Sequence, residues 1–377
     1  MVSRVDDEVR AHVRRVLREP VVGLEPLSED GRRNYIARVH LAGGGSAIVK
    51  HRLGEGAERA AAFFDDWAGP AFLSALGADS ERTPTGPPHA PRFLGGDASA
   101  GILVLEDVAH AGSLVDVLTG DDPAAAETAL LALAERLGRL HADTAPRLDD
   151  YARLRAALDP ATDGLGWFGR YARGPLRDDT LAALARIGLD VDAVLRDELD
   201  ELPSAFAGAG HFQAYVHGDP CPDNVLWTAT GPRLVDFEVG GIGQALLDGV
   251  YGEMAFPSCW CANRVPDSLV RRMELRYRHA LARGCPAAAD DRLFDEAYAA
   301  ACVAWLLVIL RVAGRPDSHW GIASVQQRLV YRAERVARVC VERGCLPAFG
   351  RLAERIAAWV RGRLPDLEPL PLYPAFR

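Results

Sequence analysis

Lysine is almost missing from this chain. Of the 43 lysines and arginines among 377 residues, Lys50 is the only lysine and the other 42 are arginine. A coding bias towards arginine and alanine accounts for the depletion but not for the position, since Lys50 closes the strand-like run AIVK. A basic surplus is also missing: the formal charge of −9 excludes a general nucleic-acid binder, which carries a basic face. No apolar run is long enough to span a bilayer comfortably. The longest, AYAAACVAWLLVIL (297–310), is bounded by Glu296 and Arg311 and predicts a buried helix, hence no membrane partner. The N-terminus, MVSRVDDEVRAHVRRVL, is charged and helical in pattern, unlike a signal peptide. The seven cysteines are odd in number and scattered, which predicts reduced thiols in a cytoplasmic protein. Cys259 and Cys261 form C-W-C, but no second Cys or His pair follows at a metal-ligand interval, which argues against zinc. Three common site motifs are absent as well. There is no G-x-x-x-x-G-K-[ST], no G-x-G-x-x-G after a strand, and no G-x-S-x-G.

What is present begins with alternation. A helix is expected near 5–18. VVGLEPL (21–27), YIARVHLA (35–42) and SAIVKHR (46–52) alternate apolar and polar residues as strands do, with SEDGRRN and GGG as turns. A helix over 57–76 follows, broken or kinked at Gly69-Pro70. FLGGD and GILVLEDV add strands, and HAGSLVDVL leaves the sheet for a helix. From there helical periodicity dominates, with leucines at 130, 133, 137 and 140 forming a stripe to be buried. A chain of 377 residues has room for two lobes. The expected division is a small sheet-rich lobe over 1–106 and a mainly helical lobe over 107–377.

Residues 214–238, AYVHGDPCPDNVLWTATGPRLVDFE, interrupt the helices with a dense set of acids beside strand-like hydrophobics. Charges in such surroundings are normally paired or bound to metal. HGDPCPDN (217–224) has the spacing H-G-D-x-x-x-x-N, and LVDFE supplies a second Asp one hairpin later. Good turn chemistry at P-C-P-D-N would explain a polar hairpin, but not this spacing together with a distant strand lysine. A kinase-type reaction needs these groups: a lysine for phosphates, an Asp for the hydroxyl proton, and an Asn and Asp for Mg²⁺.

With both motifs unbroken, the chain resembles the aminoglycoside phosphotransferase family, over roughly residues 20–256. ILVLEDV before GSLVDVL is similar to its hinge, and LGRLHAD to the helix before its catalytic segment. The resemblance implies an α+β, protein-kinase-like fold of two lobes: a small antiparallel sheet, then a larger helical lobe holding the hairpin 214–238. It implies Asp219 as catalytic base, His217 as the residue shaping the turn, and Asn224 and Asp236 as Mg²⁺ ligands. It places Lys50 at the phosphates of ATP, with GTP left open. Main-chain groups near Glu106 and Val108 would hold adenine, and Ser28 with nearby amides would cover phosphates. Arg32 and Arg33 would assist there or be solvated.

Some assignments stay open. The acid paired with Lys50 is Asp66 by position, with Asp65 and Glu58 as alternatives. Glu238 sits near metal or caps the strand. Asp248 is read as a structural brace for the catalytic turn. The acceptor would be a hydroxyl of a small molecule, cationic or neutral: an aminoglycoside or other antibiotic, an amino alcohol, a sugar or a homoserine-like metabolite. Glu253, Asp267 and Glu274 are candidates to receive its amino groups. A catalytically silent nucleotide-binding module is the alternative, disfavoured because Lys50, Asp219, Asn224 and Asp236 are all present.

Overall fold

The computed structural model describes residues 2–28, 34–54, 56–78, 87–207, 210–316 and 318–377. Arg32, Arg33 and most of the turn before β2 therefore lie outside the described residues. The chain divides into two compact units, and neither is continuous in sequence. The first comprises Met1–Ala111, Asp149–Gly164 and Leu226–Gly240. The second comprises Gly112–Leu148, Leu165–Val225 and Gly241–Arg377.

The first unit is built on an antiparallel sheet of β1 (Val21–Pro26), β2 (Asn34–Leu41), β3 (Ser46–Arg52), β4 (Phe93–Asp97) and β5 (Ile102–Glu106), in the order β1-β2-β3-β5-β4. Strand alternation sends its side chains to two different helices. Ala47, Val49, Ile102 and Val104 share a face with Val39, and α1 (Val2–Leu17) covers them with Val9 and Val13, one helical turn apart. Ile48, Leu103 and Leu105 point the other way, where Phe63 of α2 (Ala57–Ala78) packs on them with Phe64 and Trp67. Lys50 pairs with Leu103 across β5 and so belongs to the α2 face, on the central strand.

Of the break or kink expected at Gly69-Pro70, the break does not occur. Pro70 lies inside α2, which runs unbroken for 22 residues. A proline there lacks the N–H that would bond the Asp66 carbonyl, a cost of about 3 kcal/mol. Buried apolar residues on both sides, Phe63 before it and Phe72, Leu73 and Leu76 after it, offset that cost through packing.

α2 also carries Asp65, whose Oδ1 accepts Arg155 Nε at 2.8 Å, from the helix Leu148–Leu158. Both side chains are 1% exposed. Removing one partner of a buried pair strands the other charge. Arg155→Met is therefore expected to cost about 3–5 kcal/mol, most of it recovered by adding Asp65→Leu. Urea unfolding of the single and double variants checks this, and additive losses would show that the two residues are independent.

The second unit is mainly helical. Helix Pro123–Thr144 buries Leu130, Leu133, Leu137 and Leu140, as the periodicity predicts. Gly138 on this helix is a packing requirement, because a Cβ there would lie 2.5 Å from the carbonyl oxygen of Tyr277. The helix Asp267–Leu281 can therefore come close. The apolar run forms helix Asp291–Leu310, which by length and composition is the one helix among the described residues able to cross a membrane. Most of it is buried, and Trp305 Nε1 donates to the Leu247 carbonyl at 2.9 Å. A short antiparallel pair, β6 (Gln213–Val216) with β9 (Gly241–Gln244), brackets the charged segment. In the intervening sequence, β7 (Val225–Thr228) and β8 (Gly231–Leu234), which fall almost wholly in the first unit, form a two-stranded sheet. The α+β order expected from the resemblance, a small antiparallel sheet followed by helices, is the one observed.

Candidate functional site

Lys50 is buried, at 7% exposure, and its Nζ donates to Asp66 Oδ2 at 2.7 Å and to Asp236 Oδ1 at 2.8 Å. Of the three acids open in the sequence, the partner is Asp66. Asp65 turns to Arg155, and Glu58 is exposed at the start of α2. Burial alone would push the Lys50 ammonium down, but Asp236 and Asp66 more than offset it and its pKa is raised. The lysine is thus held as a cation between two carboxyl groups, while burial pushes the Asp66 carboxyl up. Asp66 also accepts the Phe237 amide at 3.0 Å, tying α2 to the D-F-E segment.

Asp236 itself has φ 68°. That left-handed conformation is uncommon outside glycine, and Asp and Asn are among the few residues that tolerate it. The turn aims a half-exposed carboxylate at Lys50 while the next residue, Phe237, is buried. Glu238 is half-buried beyond it.

The second unit holds the H-G-D turn. Gly218 has φ 78°, which explains a glycine between His217 and Asp219. Buried His217 accepts the Asp219 amide through Nδ1 at 3.2 Å, so it shapes the turn from inside. Asp248, fully buried, accepts the amides of His217 at 2.7 Å and Gly218 at 3.0 Å. Its Oδ2 also faces His141 Nε2 at 3.2 Å. Asp248 is thus the brace read from sequence, with His141 of the LGRLHAD helix behind it.

Asp219 is surrounded by donors. Oδ2 receives Asn224 Nδ2 at 3.2 Å, and the same nitrogen donates to the Asp219 carbonyl at 3.0 Å. Oδ1 receives the Ser258 hydroxyl and the Cys221 thiol, the latter at 2.9 Å. Burial pushes the Cys221 thiol up to about 11, so it keeps its proton near neutral pH. Tyr251 completes the shell, donating to the Gly218 carbonyl at 3.0 Å with its oxygen 2.8 Å from Ser258.

Ser258 and Tyr251 are members of this candidate site that sequence reasoning missed. Ser258 follows Ala255 and Phe256, both in the left-handed region at φ 54° and 50°. Such residues cost of order 1–3 kcal/mol each, and here they bend an irregular segment back to the turn. Cys221, by contrast, stood inside the quoted motif.

The other expected residues are placed as follows. Ser28 is half-buried, and its Oγ accepts the Ile36 amide at 3.0 Å, anchoring the entry to the turn before β2. Glu106 ends β5, with its carboxylate on Arg233 at 3.0 Å and its amide on the Arg92 carbonyl at 2.9 Å. Asp107 accepts Arg38 Nε at 2.7 Å and Ser46 Oγ, which fixes the backbone just before buried Val108. Glu253, Asp267 and Glu274 are all taken by arginines. Glu253 and Asp267 pair with Arg335, and Glu274 pairs with Arg343 at 2.8 Å. They do not stand ready for the amino groups of a ligand.

A model of the phosphotransferase enzyme family (APH) matches residues 24–280. No curated protein matches the chain. Among solved structures, a putative fructosamine-3-kinase from Thermobifida fusca is 18% identical, covering 92% of this chain and 98% of its own, with a TM-score of 0.47. A macrolide 2'-phosphotransferase from Brachybacterium faecium is 17% identical, covering 81% of this chain and 97% of its own, at 0.45. An amicoumacin kinase, solved with AMP-PNP, Ca²⁺ and its antibiotic, is 12% identical, covering 93% of this chain and 90% of its own, at 0.49.

Proposed function

The chain belongs to the phosphotransferase enzyme family, and from that premise we propose that it transfers the γ-phosphate of ATP to a hydroxyl of a small molecule in the cytoplasm. The observation that carries this reading is the position of the sole lysine, buried on a central strand and bonded to both Asp66 and Asp236. A solvated strand lysine would show neither the burial nor the two partners. Lys50 positions the phosphates as a compact charge, with Asp66 fixing its direction. Ser28 and the amides of its turn cover the phosphates, and main-chain groups at Glu106 and Val108 take adenine.

The donor set fits a hard divalent cation. That Asp236 and Asn224 would hold it is what membership of the family implies; each by itself suits the part, since Asp236 has a half-exposed carboxylate and Asn224 gives its amide nitrogen to Asp219 and has Oδ1 to serve as a ligand. A Mg²⁺ ion held by these two residues would supply positive charge to offset that of the transferring phosphate. Asp219 takes the proton of the attacking hydroxyl while the hydroxyl oxygen bonds to the γ-phosphorus, and the γ-phosphorus bond to the bridging oxygen breaks so that ADP leaves. Its three donors hold it as an oriented acceptor. Family acceptors include antibiotics, so a resistance role belongs to the same proposal. An ADP-release screen over aminoglycosides, macrolides, nucleoside antibiotics, amino alcohols and sugar amines tests it. Tight nucleotide binding with no acceptor-dependent ADP release across such a panel would return the chain to a silent binding module.

The metal reading has its own test. Asp236→Asn keeps a residue that tolerates φ 68° but removes the charge on the cation. The variant is expected to stay folded and to lose the Mg²⁺-dependent part of its nucleotide affinity in calorimetry, along with most turnover. Undiminished phosphoryl transfer in excess chelator would refute the metal's part.

A further inference from the structure

Six of the seven cysteines are buried, and three of them gather in one place. Cys221, Asp223 and Cys259 bring two sulfurs and a carboxylate oxygen within 4.8 Å of one another. Cys259 Sγ lies 3.8 Å from Asp223 Oδ1 and 2.9 Å from Cys261 Sγ. The other carboxylate oxygen, Asp223 Oδ2, accepts Trp260 Nε1 at 2.9 Å. The indole therefore selects which oxygen faces the thiols. Asp223 is exposed, which gives the cluster a path to solvent.

A core cysteine normally packs as a small hydrophobe. Here each sulfur faces other polar atoms instead. A disulfide would give the carboxylate no part. A cation held by Cys221, Asp223 and Cys259 gives it one, with Trp260 as the outer-sphere donor that orients the acid and the Cys261 thiol beside Cys259 as a neighbour, not a ligand.

We propose that Cys221, Asp223 and Cys259 form a site for one thiophilic divalent ion of the Zn²⁺ class, with water in the remaining position on the Asp223 side. Bonds of about 2.3 Å to sulfur and 2.0–2.2 Å to oxygen set ligand separations inside the observed limit. Each thiol releases its proton to solvent on binding, so affinity rises with pH. The C-W-C pair was set aside in the sequence because no second pair follows it. The completing ligands instead precede it, inside the H-G-D-x-x-x-x-N segment. Occupancy also touches Asp219: a metal-bound Cys221 thiolate has no proton to donate to Asp219 Oδ1, where the thiol now sits at 2.9 Å. The ion is therefore an inhibitor of turnover. That last step rests on Asp219 being the base; the binding does not.

The test is a Cd²⁺ titration of chelator-treated, reduced protein, read by the ultraviolet thiolate-to-metal absorbance. Saturation at about one ion per chain is expected, with displacement of the signal by Zn²⁺. Cys259→Ser should weaken binding at least about a hundredfold, and Cys345→Ser, outside the cluster, should leave both binding and activity alone. Should Cys259→Ser fold poorly, Asp223→Asn at the exposed ligand should still weaken binding about tenfold or more. No absorbance band, or an undiminished band in Cys259→Ser or Asp223→Asn, would overturn the site, as would a Cys221–Cys259 disulfide in protein purified under reductant. Zn²⁺ inhibition relieved by Cys259→Ser supports the link to Asp219. Stoichiometric binding without inhibition overturns that link alone.

Discussion

Asp219→Asn should lower kcat by about 10²–10⁴-fold, the range that a positioned general base contributes, with nucleotide affinity changed little. The substitution keeps the size of the side chain and removes one capacity, that of accepting a proton as the hydroxyl attacks. In the folded chain Asp219 accepts from Asn224, Ser258 and Cys221. Those donors present a carboxylate whose orientation is set before any substrate arrives, which is what a base needs if no reorganisation is to accompany reaction. An amide at this position retains a carbonyl for part of the network but places an NH₂ against at least one donor. Some local loosening will therefore accompany the chemical loss. Ser258→Ala separates the two effects: it leaves the carboxylate in place and removes one donor, so its loss should be much the smaller. Single-turnover kinetics with saturating nucleotide reads the chemical step directly. An Asn variant retaining near-wild-type turnover would remove Asp219 from the chemistry, and the proposed inhibition by metal at Cys221 would lose its route as well.

Local pattern made part of this molecule readable. β2 was legible because buried Ala37 and Val39 alternate with the more exposed Arg38 and His40, whereas β3 and β5, covered by a helix on each face, read as nearly continuous apolar runs. The H-G-D turn was legible because its members fall within eight residues, so that spacing alone implies proximity. Gly218, at φ 78°, even shows why that letter is glycine.

What stayed hidden depends on contacts far apart in sequence. Three acids competed for Lys50, and only the facing of α2 decided among Asp66, Asp65 and Glu58. The same facing handed Asp65 to Arg155, 90 positions away. Pro70 read as a break or a kink because proline disfavours a helix interior, and the helix continues through it because packing on either side outweighs that local preference. Glu253, Asp267 and Glu274 looked available for a cationic ligand, since composition counts arginines without saying which acids they neutralise. Ser258 had no signal at all, because a hydroxyl in an irregular segment is among the commonest features of any chain.

Lys50→Arg should leave a folded protein whose ATP-dependent turnover falls by about a hundredfold or more. The structure sharpens this expectation. With 7% exposure and two carboxylates at 2.7 and 2.8 Å, Lys50 is not a solvated residue. The remaining alternative is a purely structural ion pair, and that is the role an arginine performs best. Its planar fork matches carboxylates, stays charged when buried and engages Asp66 and Asp236 together. A structural lysine would therefore tolerate the change, with a stability cost of about 1–3 kcal/mol for the added bulk and little else. A phosphate-positioning lysine would not. The guanidinium is larger and would hold Asp236 in a fixed in-plane geometry, while the phosphates require a compact ammonium that turns its three donors among several oxygens. Lys50→Met is the contrasting variant. It leaves Asp66 buried without its counter-charge, so a loss of about 3–5 kcal/mol in urea unfolding is expected, and its inactivity alone would say nothing about phosphate. The decisive pattern is a Lys50→Arg protein that stays folded with a loss of no more than about 1–3 kcal/mol, weakened or misplaced nucleotide and a collapsed rate. Full activity in that variant would make Lys50 a brace between α2 and the D-F-E segment, and the phosphates would need another partner.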